Sequence, residues 1–218
     1  MLELNQLIHG NCMDYMKQFP DKYFELAIVD PPYGLERLKR SDSKNNRLEN
    51  NIHKHPDGLT SKWNQKPSPE YFEELFRVSQ NQIIWGGNNF TLPQTEYFIV
   101  WDKLQTVDNF ASAEYAWTNI KVPAKVFRYS IAQKEIFVRK KQGGKIHPTQ
   151  KPERLYEWLV ANYAKEGDKI LDTHVGSASS LVAFHNCGFD YIGFEIDEHY
   201  YKLASERLEA VKSQMSLF

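Results

Sequence analysis

The sequence predicts an α/β fold, a doubly wound and mostly parallel sheet with an antiparallel hairpin at one edge. Short apolar runs alternate with amphipathic segments at both ends of the chain, which is the signature of strands connected by crossover helices. The middle is strand-rich with no helical pattern between its strands, which calls for a hairpin. Its 218 residues suit a single domain, 1–218, that buries a core without disulfide or metal staples.

Taken in order, residues 6–9 read as a strand, 12–18 as a helix and 26–29 as an apolar strand stopped by Asp30 and two prolines. Residues 34–66 hold few apolar side chains and many Asn, Ser, Lys and Gly. They read as a long, basic, mobile loop with a short helix near 35–39, a segment suited to target recognition. A helix at 69–78 starts at Pro69 after Ser68, and strands follow at 82–85, 97–101, 114–118 and 125–129. In the helix at 152–164, Leu155, Trp158, Leu159 and the pair 161–162 form an apolar stripe that should face the sheet. A strand at 169–172, a helix at 179–187, a strand at 191–195 and a helix at 198–213 complete the pattern.

Charges nearly cancel, 27 basic against 28 acidic for a net of −1, so global charge selects neither a nucleic-acid nor a membrane partner. Their distribution is uneven. Residues 121–151 carry nine basic side chains and one acid, and residues 34–66 carry eight against four. Each tract reads either as a solvated face or as a polyanion-binding surface. Two cysteines are too few for a disulfide scaffold and lack zinc spacing, and no apolar run approaches 18 residues. These features predict a cytoplasmic protein with no membrane partner and no metal.

Three stretches carry chemistry. In AIVDPPYG, residues 27–34, the prolines end the strand and turn its terminal groups toward a crevice. Asp30 and the carbonyl of Pro31 then offer two acceptors beside the ring of Tyr33, a set complementary to a planar ring bearing an exocyclic amine. Accepting both amine hydrogens draws density toward a pyramidal nitrogen, which favours attack on an electrophilic methyl. Residues 168–197 order a strand, a small-residue turn, a helix and a strand ending in Glu195, which suits a nucleotide-type cofactor with ribose hydroxyls. The turn GSASS holds only Gly176, without a pyrophosphate cradle, and so points to a cofactor lacking a diphosphate. HPTQKP, residues 147–152, marks a helix start, with Thr149 or Gln150 placed to cap it and Pro152 fitting the first turn.

Together these segments resemble the S-adenosylmethionine-dependent amino-methyltransferases of DNA in their circularly permuted beta group, with DPPY first and HPTQKP and the cofactor segment last. The resemblance covers about residues 4–33 and 68–205 and implies the Rossmann-like class I methyltransferase fold. It assigns Asp30, Pro31, Pro32 and Tyr33 to the catalytic tetrapeptide, with Tyr33 stacking on an extruded base. Asp172, Thr173, His174, Gly176 and Ser177 match the cofactor turn, and Glu195 with Ile196 the ribose acceptor. His147, Thr149, Lys151 and Pro152 match the segment closing over the methionine part. Asn11 and Cys12 lie in HGNCMDYM, similar to the family's segment against the cofactor adenine, and Asp30 borders the cofactor as well. Thr173 and His174 stand where Pro and Phe are usual, and Ala178 replaces the last glycine of the turn. Ala at that place fits a small residue packing the helix on the strand.

The resemblance implies methyl transfer to N6 of adenine in DNA, with S-adenosyl-L-methionine as cofactor and DNA as partner. Phosphate contacts would come from Arg37, Lys39 and Arg40 in the first basic tract and from Lys125, Arg128, Arg139, Lys140 and Lys141 in the second. The stretch IIWGGNNFTLP through FRYS resembles a subgroup common in phage and mobile elements, which implies a short or loose recognition site. A homodimer and a cognate restriction enzyme are implied by analogy with the group. The alternatives are methylation of the N4 amine of cytosine, an RNA amino-methyltransferase, or a noncatalytic DNA-binding relative. Trp63, Trp85 and Trp101 read as packing side chains.

Overall fold

The computed structural model describes residues 2–34, 65–105, 111–130 and 146–215. The short helix expected at 35–39, the loop around it and Trp63 lie outside those residues. Eight strands form one sheet: β1 (Gln6–His9), β2 (Phe24–Val29), β3 (Ser79–Trp85), β4 (Phe98–Asp102), β5 (Ala113–Thr118), β6 (Lys125–Arg128), β7 (Lys169–Asp172) and β8 (Asp190–Glu195). Their order is β1-β8-β7-β2-β3-β5-β4-β6. Only β3 with β5 and β4 with β5 pair antiparallel, so β5 alone runs against the other seven. The expected hairpin is β4 with β5, and β6 adds beyond it in parallel.

Among the described residues five α-helices cover the sheet: α1 (Cys12–Met16), α2 (Pro69–Val78), α3 (Glu153–Tyr163), α4 (Ser179–Asn186) and α5 (Glu198–Met215). Alternate strand residues point to opposite faces, and the core divides accordingly. Leu26 and Ile28 pack with Leu155, Leu159, Leu181 and Leu208 of α3, α4 and α5. Ala27 and Val29 pack with Met16 of α1 and Leu75 of α2 on the other face. Trp85 and Trp101 are buried core side chains, as expected. The buried face of α3 is Leu155, Tyr156, Leu159 and Val160, whereas residues 161 and 162 are exposed. The expected stripe was therefore rotated by about one position, because the helix presents adjacent pairs one turn apart. Among the described residues no helix is long and apolar enough to cross a membrane.

From β2 the chain steps through α2 to β3, and from β7 through α4 to β8, in opposite directions along the sheet. Strands β2 and β7 are neighbours, with Ala27 beside Leu171. The connections thus diverge between them and leave a crevice beyond their C-terminal ends, where open α/β sheets bind ligands.

Candidate functional site at the crevice between β2 and β7

Asp30 follows directly on β2 at this crevice. The Tyr33 hydroxyl donates to its Oδ1 at 2.6 Å, and the Lys151 ammonium is ion-paired to its Oδ2. The DPPY turn thus folds back on itself, and the tyrosine ring reaches the next strand. Gly86, just after β3, has φ +65°, and a Cβ there would stand 2.3 Å from the Tyr33 ring. Only glycine admits both that backbone conformation and that contact. Phe90 meets the Tyr33 ring edge-on at 6.0 Å. Burial, with the Asp30 charge beside it, holds the Tyr33 phenol well above its ordinary range.

Lys151 is 5% exposed and lies under Asp30, with its Nζ 5.5 Å from the Trp85 ring centre and 6.0 Å from that of Tyr33. Burial disfavours its charge, but Asp30 and Glu114 outweigh burial and hold the ammonium well above its usual range. Glu114, second residue of β5, is 3.1 Å from Lys151 and 2.5 Å from Lys103 just after β4. Burial opposes its ionisation, yet the two lysines bring its carboxyl down to about 2. The resemblance assigns Lys151 to the methionine side of the cofactor, and its ammonium reaches Asp30. Glu114 and Lys103 were not singled out from sequence. The one available signal was an acid in an otherwise apolar and small-residue strand.

On the β7 side, Asp172 is buried, accepting from the Ser180 hydroxyl at 2.5 Å and the His174 amide at 3.0 Å. Burial raises its carboxyl to about 6. Gly176 has φ +57°, and its amide donates to Glu195 Oε2 at 2.7 Å while the Asp197 amide donates to Oε1 at 2.8 Å. Burial raises Glu195 to about 7. Thr173 and His174, the departures from the family pattern, are tied into the site. Thr173 Oγ1 lies 2.6 Å from the Tyr71 hydroxyl of α2 and 2.9 Å from His174 Nδ1. Burial keeps His174 neutral by lowering it to about 4. Ser177 is buried, and the Arg207 guanidinium donates to its carbonyl at 2.7 Å while ion-paired to Glu153 at the start of α3. Arg207 of α5 thereby binds the turn to the HPTQKP helix, a link no local pattern announced.

The segment before α3 is arranged differently from the expected cap. Pro152 itself occupies the N-cap position, without a side-chain cap. Gln150 accepts from the Ile146 amide at 2.9 Å, and Thr149 Oγ1 lies 3.1 Å from His147 Nδ1. Both side chains turn back into the loop because it must first bury His147, whose ring meets that of Tyr200 at 4.3 Å. His147 also lies against Gly176, whose added Cβ would be 3.5 Å from its ring. Asn11 caps α1 by accepting from the Met13 amide at 3.1 Å, and the Gly10 amide donates to the Glu195 carbonyl at 2.9 Å, joining the ends of β1 and β8. Cys12 is buried, and burial pushes its thiol up to about 12. Ile196 is 52% exposed beside Glu195.

The described residues thus bring Asn11, Cys12, Asp30, Tyr33, His147, Lys151, Asp172, Gly176 and Glu195 to one edge of the sheet. Arg37, Lys39, Arg40, Arg139, Lys140 and Lys141 lie outside the described residues. Of the two remaining basic candidates, Arg128 ends β6 at that same edge, 70% exposed and 3.4 Å from Asp102. Lys125 begins β6 at the far end and donates to Asn162 at 2.7 Å over the Tyr163 ring. No group of histidine, cysteine or carboxylate side chains that could hold a metal occurs among the described residues.

The site residues fit a sulfonium nucleoside cofactor: a glycine turn with left-handed backbone that carries a single glycine, and a buried acid at the end of β8. Comparison with known proteins agrees. A family described as DNA methylase, of the N6 and N4 amino-methyltransferases, matches residues 100–206. The type II methyltransferase M.HinfI of Haemophilus influenzae is 22% identical over 96% of this chain and 69% of its own. M2.DpnII of Streptococcus pneumoniae, also a type II methyltransferase, is 31% identical over 66% of this chain, which spans 47% of that relative. The crystal structure of the M1.HpyAVI–SAM complex superposes with a TM-score of 0.57 at 18% identity, covering 93% of this chain and 98% of that one.

Proposed function

Because this chain belongs to the DNA methylase family of amino-methyltransferases, whose methyl donor is S-adenosylmethionine, we propose that it methylates the N6 amine of adenine in DNA. The observation that carries the reading is Asp30 at the end of β2, beside the cofactor-type turn that follows β7. Bound S-adenosylmethionine supplies an electrophilic methyl on a sulfonium centre. Glu195 accepts from the ribose hydroxyls while the Gly176 and Asp197 amides hold its carboxylate in place. Asp30 and the Pro31 carbonyl accept the two amine hydrogens of a base extruded from the helix, and the Tyr33 ring supplies a stacking face. For the base to enter, the Tyr33 hydroxyl gives up Asp30 Oδ1, so one hydrogen bond is exchanged for another.

The nitrogen lone pair forms the new bond to the methyl carbon as the carbon–sulfur bond breaks, and the electron pair remains on sulfur. The resulting base ammonium loses its proton to Asp30 or to water. Preorganised acceptors supply most of the catalysis, and no covalent enzyme intermediate is needed. Neither cysteine is a nucleophile in this scheme, in keeping with the thiol of Cys12, which is buried and pushed up to about 12.

Methylation of cytosine N4 is the second reading, since the matched family spans both amines. Asp30 in DPPY supports adenine, because the cytosine enzymes more often carry Ser at that place. Incubation with labelled S-adenosylmethionine and mixed-sequence DNA, followed by nucleoside mass spectrometry, should yield N6-methyladenine. N4-methylcytosine would establish the second reading, and no labelled nucleoside would refute both. Asp30→Ala should lower kcat by at least about 10³-fold while calorimetry still records cofactor binding.

A further inference from the structure

The crevice contains a row of four alternating charges whose inner half lies against the catalytic carboxylate. Lys103 Nζ is 2.5 Å from Glu114 Oε1, Glu114 Oε2 is 3.1 Å from Lys151 Nζ, and Lys151 is ion-paired to Asp30. Two ammonium groups and two carboxylates balance. Lys103 also lies 5.2 Å from the Trp101 ring centre, and Lys151 5.5 Å from that of Trp85, so aromatic faces flank both cations. Burying an ammonium as deeply as Lys151 is costly unless acceptors surround it. Asp30 alone would meet that need, and a second carboxylate is the feature to be explained.

We propose that Glu114 and Lys103 are positioning residues, Glu114 drawing Lys151 partly away from Asp30 and Lys103 limiting that pull, and that together they set the acceptor strength and orientation of the catalytic carboxylate. This rests on the methyl-transfer reading above. An ammonium shared between two carboxylates leaves Asp30 with unspent acceptor capacity for the target amine. Remove the Glu114 charge, and Lys151 turns wholly to Asp30, binding the carboxylate that the amine must reach. Both partners come from the β4–β5 hairpin. Since β5 runs against the sheet, its first residues reach the catalytic edge, where β4 delivers Lys103 by its last. Register of the hairpin therefore fixes the electrostatics of DPPY.

Glu114→Gln keeps shape and removes charge. With adenine-containing DNA it should lower kcat on the order of 10- to 100-fold, with KM for S-adenosylmethionine unchanged within about twofold and Glu114→Asp recovering part of the loss. Lys103→Met frees the Glu114 carboxylate for Lys151 alone, loosens Lys151 further from Asp30 and should raise kcat by a small factor, about threefold, which keeps the proposal testable if Glu114→Gln fails to fold. A wild-type kcat in a folded Glu114→Gln protein overturns the proposal. So does a loss confined to cofactor KM, or a Lys103→Met protein whose kcat is unchanged or lower. If the wild-type chain itself transfers no methyl group to DNA, the methyl-transfer reading fails, an outcome distinct from an active wild type beside equally active variants.

Discussion

At the scale of residues, the site combines two carboxylates that burial holds up and two that cations hold in place. Asp172 and Glu195 are raised to about 6 and about 7 from ordinary values of 3.8 and 4.5. The folded chain therefore binds more protons than the unfolded one in that interval. Their contribution to stability is full below about pH 4 and declines as pH rises through 6 to 7. Cofactor binding runs the other way, because an ionised Glu195 is the stronger acceptor for ribose hydroxyls. Calorimetric Kd for S-adenosylmethionine should tighten about tenfold from about pH 5.5 to about pH 8, and Glu195→Gln should flatten the profile. A flat wild-type profile would remove Glu195 from that role. Asp30 and Glu195 were legible in the sequence because each ends an apolar run. Glu114 was not, since its importance depends on the direction of its strand, which no local pattern encodes. Thr173 and His174 read as departures; the Tyr71 hydroxyl that accommodates them lies about a hundred residues away.

At the scale of elements, the strand and helix order and the starts of α3 and α4 were legible to within a residue, whereas the cap geometry at those starts was not. Ala178 stands where a glycine is usual, and sequence reading assigned that place to helix packing. The structure agrees and adds why glycine is usual there: Ala178 is the N-cap of α4 with φ +60°, a left-handed backbone. Its side chain is fully buried, so a small residue is required on both counts. Ala178→Gly should change stability by less than about 1 kcal/mol, relief of backbone strain offsetting the lost methyl. Ala178→Val should destabilise by more than about 2 kcal/mol, read by denaturant midpoint with unchanged slope, since a β-branched side chain tolerates neither the conformation nor the space. Equal stability of the two variants would contradict this account. The turn of DPPY onto Gly86 has the same character, since the tyrosine is legible and the glycine that admits it is 53 residues on.

At the scale of the whole molecule, seven strands pointing one way collect their C-terminal ends along one rim, and charge follows that rim more than net composition. Arg128 ends β6 there, while Lys125, in the same basic tract, is at the far end and occupied by Asn162. Arg128→Ala should weaken DNA binding uniformly across sequences and lower the slope of log K against log salt by about one. Lys125→Ala should leave that slope unchanged, and fluorescence anisotropy over a salt series distinguishes the two. A basic tract in sequence is thus an incomplete guide, because a strand of four residues separates its side chains onto opposite edges of the fold. The same rim also bears on chain order. Lys212 near the end of α5 donates to the Asn5 carbonyl ahead of β1 at 3.0 Å, so the two extremities of the described chain meet. Join residue 5 to residue 215, reopen the loop ahead of α3, and β7 and β8 would be translated before β2 while every neighbour in the sheet stayed in place. The order of motifs along such a chain then records where the loop was opened, and the crevice between β2 and β7 is indifferent to it.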